Sequence, residues 1–232
     1  MCGRLLFQKV ISVTVLATAL LEGSFHTAMP DKNADGYLFL VNQQHIISSD
    51  YLPEVRKANV SGASQSMNAV AAAALEEMFK AAKSESNITL SAVSGYRSFS
   101  KQGTLYSRKK QNIGSAKADL LVALPGASEH QLGMAMDVSQ KGSSRLNVNF
   151  GKTKGGLWIS ENAHRFGFIV RYQLGFESIT GYSYEPWHVR YVGKEHAQAI
   201  YESKEPMEIH ISKHRLRLYE YLIHFASDEV NP

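Results

Sequence analysis

Two histidines and an aspartate stand in segments whose neighbours are small or rigid. His130 and Asp137 lie in Ser128-Glu-His-Gln-Leu-Gly-Met-Ala-Met-Asp137, and His188 lies in Glu185-Pro-Trp-His-Val-Arg-Tyr191. Zinc takes about four ligands in a tetrahedron, and catalytic sites draw three from protein, leaving the fourth position for water. His130, Asp137 and His188 would make such a set. Seven residues separate the first two, enough for a loop end and the strand after it to reach one point. Gly133 and Ala135 between them keep that approach uncrowded. Glu185, three residues before His188, is poorly spaced for a further ligand but well spaced to reach water beside the ion. A carboxylate there serves as general base. A third segment, Ser94-Gly-Tyr-Arg-Ser98, reads as a turn whose glycine can take backbone angles that other residues avoid.

Each of these residues also has a plainer reading. Asp137, amid apolar residues, could be a buried structural acid paired with an arginine. His130 could be a satisfied loop histidine, and His188, between Trp187 and Val189, a partly buried core histidine. Spacing alone leaves both readings open.

The elements that must position these residues follow from periodicity. Met67, Val70, Ala71, Ala74, Leu75, Met78, Phe79 and Ala82 recur at steps of three and four, which predicts an amphipathic helix with Ser66 as N-cap. Ile88, Leu90 and Ala92 alternate with polar residues, the period of a strand that runs into Ser94. Lys101 to Gln111 reads as an exposed helix ending near Gly114. Met134 to Val138, Phe168 to Tyr172 and Trp187 to Val192 read as strands, and so does Tyr37 to Val41. Leu157 to Phe166 reads as a helix stopped by Gly167. Helices near Glu195–Tyr201 and Leu216–Phe225 close the chain. Helices and strands mix without regular βαβ alternation, so the expected class is α+β: a single domain with a central antiparallel sheet flanked by helices.

Composition bounds the rest. The chain has 232 residues, 44% hydrophobic and 20% charged, which is ordinary for one globular domain and excludes a fibrous or disordered chain. A domain of this size buries roughly 70–75% of its unfolded surface and needs no disulfide to hold a core. The single cysteine, Cys2, excludes an intramolecular disulfide and a cysteine-based zinc site, so any metal falls to the nine histidines and to carboxylates. Lys and Arg exceed Asp and Glu by four, spread without a block of five or six like charges. With no recognised motif or basic–aromatic stripe, nucleic acid is not an expected partner.

At the N-terminus, Arg4 and Lys9 precede an apolar run from Val10 to Leu21. That is the pattern of a secretory signal, too short for the ~20 residues of a comfortable membrane span. No A-x-A cleavage site follows, since Glu22-Gly-Ser-Phe-His26 matches poorly. Residues 1–27 are therefore expected to be a signal peptide or a short N-terminal anchor, with a buried N-terminal strand as the alternative. Export to the periplasm or the cell-envelope exterior, with membrane association through an uncleaved anchor, is the corresponding expectation.

Taken together, Ser94-Gly-Tyr-Arg-Ser98, Pro125-Gly-Ala-Ser-Glu-His130 through Asp137, and Glu185-Pro-Trp-His188-Val-Arg-Tyr-Val-Gly193 resemble the bacterial zinc carboxypeptidases of the VanY type. These resemble in turn the wider group of lysostaphin-type, D-Ala-D-Ala and hedgehog-type zinc domains. The resemblance spans roughly Tyr37 to Phe225, so 37–225 is the expected catalytic domain. It implies one Zn2+ held by His130, Asp137 and His188, with Glu185 as catalytic base. It implies that Arg97 polarises the scissile carbonyl and steadies the oxyanion. Ser98, Gln102 and Ser128 correspond to contacts with the substrate, and Trp187 to the pocket lining, with core filler as its alternative. No departure occurs at the metal or base positions. The implied substrate is peptidoglycan, with hydrolysis of the last peptide bond of a stem peptide and release of D-alanine. An L,D-carboxypeptidase acting on tetrapeptide stems is the alternative within the family, and a non-catalytic wall-binding module is the alternative of another class.

Overall fold

The computed structural model describes residues 37–142 and 146–215. The expected signal or anchor at 1–27 and the expected helix Leu216–Phe225 lie outside these residues. Among the described residues, no helix is long and apolar enough to cross a membrane.

The element order is β1 (Val55–Lys57), β2 (Ser66–Asn68), α1 (Ala69–Ser86), β3 (Leu90–Ser94), α2 (Phe99–Ile113), α3 (Ser115–Asp119), β4 (Ala135–Gln140), α4 (Lys154–Asn162), β5 (Phe168–Tyr172), α5 (Glu177–Thr180), β6 (Glu185–Tyr191) and α6 (Lys194–Ser203). A further helical stretch covers 207–215. β1 and β2 form an antiparallel pair, and the main sheet has order β3-β4-β6-β5 with every neighbour antiparallel. The expected α+β class is what the structure has.

The two faces of the sheet do different things, because side chains alternate along each strand. One face is apolar. Leu90, Ala92, Met136, Val138, Phe168, Val189 and Tyr191 pack there against Ala71, Leu75, Met78 and Phe79 of α1 and Trp158 and Ile159 of α4. Each large side chain buried so contributes roughly 1.5–3 kcal/mol. The residues between them, Asp137, His188, Arg190 and Arg171, are buried polar groups on the other face. A second apolar cluster joins Ile169 and Val192 to Ala197 and Ile200 of α6 and to Met207 and Ile211.

Three local expectations differ from what is found. Tyr37 to Val41 forms no strand; the Tyr37 and Phe39 carbonyls accept from Arg190 Nη2 at 3.0 and 2.9 Å, so a guanidinium holds this segment where a neighbouring strand would. Ser66 is not the cap of α1. It pairs with Lys57 in the hairpin, and Asn68 caps the helix by accepting from the Val70 amide at 3.0 Å. Ile88 is not in the strand: Asn87 turns the chain left-handed (φ 53°), and the Ile88 amide donates back to Ala82 O at 3.0 Å to close the helix. The stop at Gly167, with φ 85°, falls where expected.

Candidate active site

The site lies on the polar face of the sheet, and its centre is fixed by register. Asp137 of β4 pairs with Ser94 of β3 on one side and with His188 of β6 on the other. His130 reaches the same place from the run of turns before β4, where Gln131, Leu132 and Gly133 amides each donate three residues back. Gly133 ends that run at φ 73°, and a Cβ there would lie 2.9 Å from Val55 Cγ1, so both conformation and space require glycine.

The donor atoms of His130, Asp137 and His188 all lie within 4.8 Å of one another, and all three side chains are buried. Each histidine has one nitrogen aimed at Asp137 and the other held. His130 Nε2 is 3.4 Å from Asp137 Oδ2, while its Nδ1 bonds the Gly95 carbonyl at 2.8 Å. His188 Nδ1 is 3.4 Å from Asp137 Oδ1, while its Nε2 bonds Glu129 Oε2 at 3.3 Å. A carbonyl and a carboxylate can only accept, so Nδ1 of His130 and Nε2 of His188 donate to them, and Nε2 of His130 and Nδ1 of His188 are the atoms turned toward Asp137. Asp137 Oδ1, although close to His188, is buried and accepts no hydrogen bond of adequate geometry. A buried carboxylate oxygen without a partner between two imidazole nitrogens fits a cation.

Gly95 earns its place in the Ser94–Ser98 turn by close approach: a Cβ would stand 2.5 Å from Ser66 O. That turn is tied to His130 again through the Arg97 amide, which donates to the His130 carbonyl at 3.1 Å. Arg97 leads its guanidinium inward, with Nη2 3.9 Å from Asp137 Oδ2 and 3.0 Å from Ser94 Oγ, and Nη1 donating to Gln102 Oε1 at 2.7 Å. Glu185 opens β6, and its Oε2 is 3.6 Å from His188 Nδ1. Burial pushes the Glu185 carboxyl up to about 8, against the pull of His188 and Arg97 and with the help of Asp137. Burial disfavours charge on His188, yet the carboxylates of Asp137, Glu129 and Glu185 around it raise it to about 9, so an ion at Nδ1 takes the place of a proton.

The sequence-derived site residues thus divide. His130, Asp137, His188, Glu185 and Arg97 are brought together. Ser98 is at the rim, its hydroxyl accepting from the Lys101 amide as N-cap of α2. Gln102 is fully buried with both ends engaged, Oε1 by Arg97 and Nε2 on Ala123 O at 2.6 Å, so it holds Arg97 and has no polar atom left to offer a substrate. Ser128 is 3% exposed, two residues before His130. Trp187 differs from the expected pocket lining: alternation along β6 turns it away from His188, and it packs against the apolar core.

One residue was missed. Glu129 has no exposed surface, and it gathers three partners: Arg171 Nε at 2.7 Å, Arg190 Nη1 at 2.8 Å and His188 Nε2 at 3.3 Å. The charges of Arg190 and Arg171 hold its carboxyl well below the usual range despite burial. Arg171 extends the chain outward to Glu208 at 2.6 and 3.0 Å. The signal was present as arginines set in otherwise apolar strands, Phe-Ile-Val-Arg171-Tyr and Trp-His-Val-Arg190-Tyr. A cavity of about 560 Å3 between α4, β5 and α6 is lined by none of the metal-cluster residues and is a separate feature.

A sheet-borne His-Asp-His cluster, flanked by a half-buried glutamate and an arginine, defines a metallohydrolase-type centre. The D-alanyl-D-alanine carboxypeptidase family VanY matches residues 64–194, a span that contains every one of these groups. YodJ of Bacillus subtilis (strain 168) is 40% identical over 78% of this chain and 69% of its own length. Among solved structures, the LdcB LD-carboxypeptidase, described for its peptidoglycan recognition, is 40% identical with a TM-score of 0.73, covering 78% of this chain and 88% of that one. The vancomycin-resistance D,D-pentapeptidase VanY of a VanB-type cassette, solved with Zn(II), is 34% identical with a TM-score of 0.66, covering 75% of this chain and 98% of that one. The chain belongs to the VanY D-alanyl-D-alanine carboxypeptidase family, and it is an enzyme.

Proposed function

We propose that this chain is a zinc-dependent D,D-carboxypeptidase that removes the terminal D-alanine from peptidoglycan stem peptides. The observation that carries the reading is the mutual 4.8 Å limit on the His130, Asp137 and His188 donors, with Glu185 beside His188. His130 through Nε2, His188 through Nδ1 and Asp137 through a carboxylate oxygen would hold one Zn2+. When bound, the ion supplies a Lewis acid that lowers the pKa of water to about 7 and polarises a carbonyl.

The chain's own groups do the rest. Glu185 takes a proton from the attacking water and passes it to the amine nitrogen as the peptide C–N bond breaks. Arg97 donates toward the scissile carbonyl oxygen as negative charge grows there, held in place by Gln102 and Ser94. Ser98 and Ser128 are the candidate contacts for the substrate's peptide groups and terminal carboxylate. The short apolar run at Val10–Leu21 behind Arg4 and Lys9 supports export to the cell envelope, where this substrate is found, with residues 1–27 as signal or anchor and 37–225 as the catalytic domain.

A second reading is cleavage of tetrapeptide stems as an L,D-carboxypeptidase. It is supported by the greater likeness to LdcB than to the D,D-pentapeptidase. Incubation with a pentapeptide and a tetrapeptide stem, followed by mass spectrometry, separates the readings. Loss of one D-alanine from the pentapeptide alone supports the first, and loss from the tetrapeptide alone supports the second. No cleavage of either by the zinc-loaded protein overturns both.

A further inference from the structure

Away from the catalytic face, three histidines meet where α6 packs on the helical stretch 207–215. His196 comes from α6, and His210 and His214 stand four residues apart on the second helix, one above the other on the same face. All three are half-buried. His196 Nδ1 is 3.1 Å from His210 Nε2. The ring centroids of His196 are 5.2 Å from those of both His210 and His214, at interplanar angles of 72° and 86°.

Those values have an internal yardstick. The two histidines of the catalytic cluster, His130 and His188, have centroids 5.0 Å apart at 79°. Two imidazoles bound at about 2.0–2.1 Å to one tetrahedral ion require centroids roughly 5 Å apart. The third separation, His210 to His214, is longer at 6.3 Å with nearly parallel rings, so one ring must turn to close the set. Two histidines at i and i+4 on a helix are a recurrent half of a zinc site, because that spacing aims both rings at one point.

We propose that His196, His210 and His214 form a second site for a divalent transition-metal ion, distinct from the catalytic centre and structural in its effect. Imidazole nitrogen selects Zn2+, Cu2+, Ni2+ and Co2+ over Mg2+ and Ca2+, and water completes the coordination. An ion at these nitrogens displaces any proton they hold, so binding releases protons to solvent. The consequence reaches inward. The ion pins 207–215 to α6, and that same helix carries Glu208, which binds Arg171 and through it Glu129.

The test is a zinc titration of the metal-stripped full chain against a chromophoric competitor, with thermal unfolding at each stoichiometry. Two equivalents are expected for the parent chain, and one each for His188→Ala and for the double variant His210→Gln with His214→Gln. His214→Gln alone should weaken the second equivalent by more than the ~10–100-fold lost when only an outer hydrogen bond to a ligand is removed. The ion at this site should raise Tm in the parent chain and in His188→Ala, and that rise should be absent from the double variant. A parent chain that binds a single equivalent, lost in His188→Ala and kept in the double variant, overturns the proposal. So does a second equivalent that survives in the double variant with unchanged affinity. If the double variant does not fold by circular dichroism, the affinity measured for His214→Gln decides alone. Because His188→Ala removes only the catalytic ion, failure of the second site and failure of the catalytic assignment give different stoichiometries.

Discussion

Glu129 Oε2 stands 3.3 Å from His188 Nε2, on the side of the ring opposite Asp137, and the same carboxylate neutralises Arg171 and Arg190. It therefore sets which nitrogen of His188 faces the metal cluster while compensating two cations that have no exposed surface. Glu129→Ala leaves both guanidinium groups buried without their shared anion. Removing one partner of such a set costs about 3–5 kcal/mol. Urea unfolding should show a loss of that size. Zinc affinity of the folded fraction should fall about 10–100-fold, and unchanged affinity would remove Glu129 from this role.

Glu185→Gln keeps the size and placement of the side chain but has no basic oxygen. Zinc content should stay at the parent value, while D-alanine release should fall by at least ~10²-fold. Near-normal turnover would sink the assignment of the base.

Gln102 offers a cleaner test of positioning. If it acts only by holding Arg97, Gln102→Ala should lower kcat with zinc content unchanged, since misplacement by about 1 Å can cost ~10²-fold. Arg97→Ala should lose about 10²–10³-fold. The double variant should then be no slower than Arg97→Ala alone, because the two residues act as a unit. Additive losses would show an independent role for Gln102.

Glu76 links α1 to the β1–β2 hairpin. It accepts from Arg56 at 2.7 and 3.1 Å and from the Asn59 amide at 2.7 Å, and these bonds lower its carboxyl from the ordinary 4.5. A depressed folded value stabilises above the unfolded one, so this contribution is complete above about pH 4.5 and disappears as pH falls through the folded value. Glu76→Gln should cost at most about 1 kcal/mol near neutrality, since the pair is partly solvated. The gap to the parent should narrow as pH falls below 4.5 in chemical unfolding, and a gap independent of pH would exclude the linkage.

His130, Asp137, His188 and Glu185 could be singled out because each sits in a short segment where its chemistry and its neighbours agree, and the fold brings the four together. Helix α1 and strand β5 were readable because one periodicity dominates each. Glu129 was not, because its role depends on Arg171 and Arg190, which the sheet brings to it from distant parts of the chain. Trp187 left two readings open, pocket lining and core filler, and its place in β6 on the face opposite His188 favours the core. Tyr37 to Val41 has strand composition, but its carbonyls answer to a side chain, and composition carries no record of that.

The pairing of Asp137 with His188 has a last consequence, for how this enzyme can vary. Deleting a single residue from β4 or β6 ahead of these positions would exchange the two faces of the strand, sending Asp137 or His188 into the apolar layer and Met136 or Val189 out to the polar face. Point substitutions on the apolar face can be absorbed by repacking, but changes in strand length cannot. Tolerance of insertions and deletions should therefore be confined to the connections, so that lineages of this enzyme can diverge in side chains while holding the count of residues between Ala135 and Asp137, and between Glu185 and His188, constant.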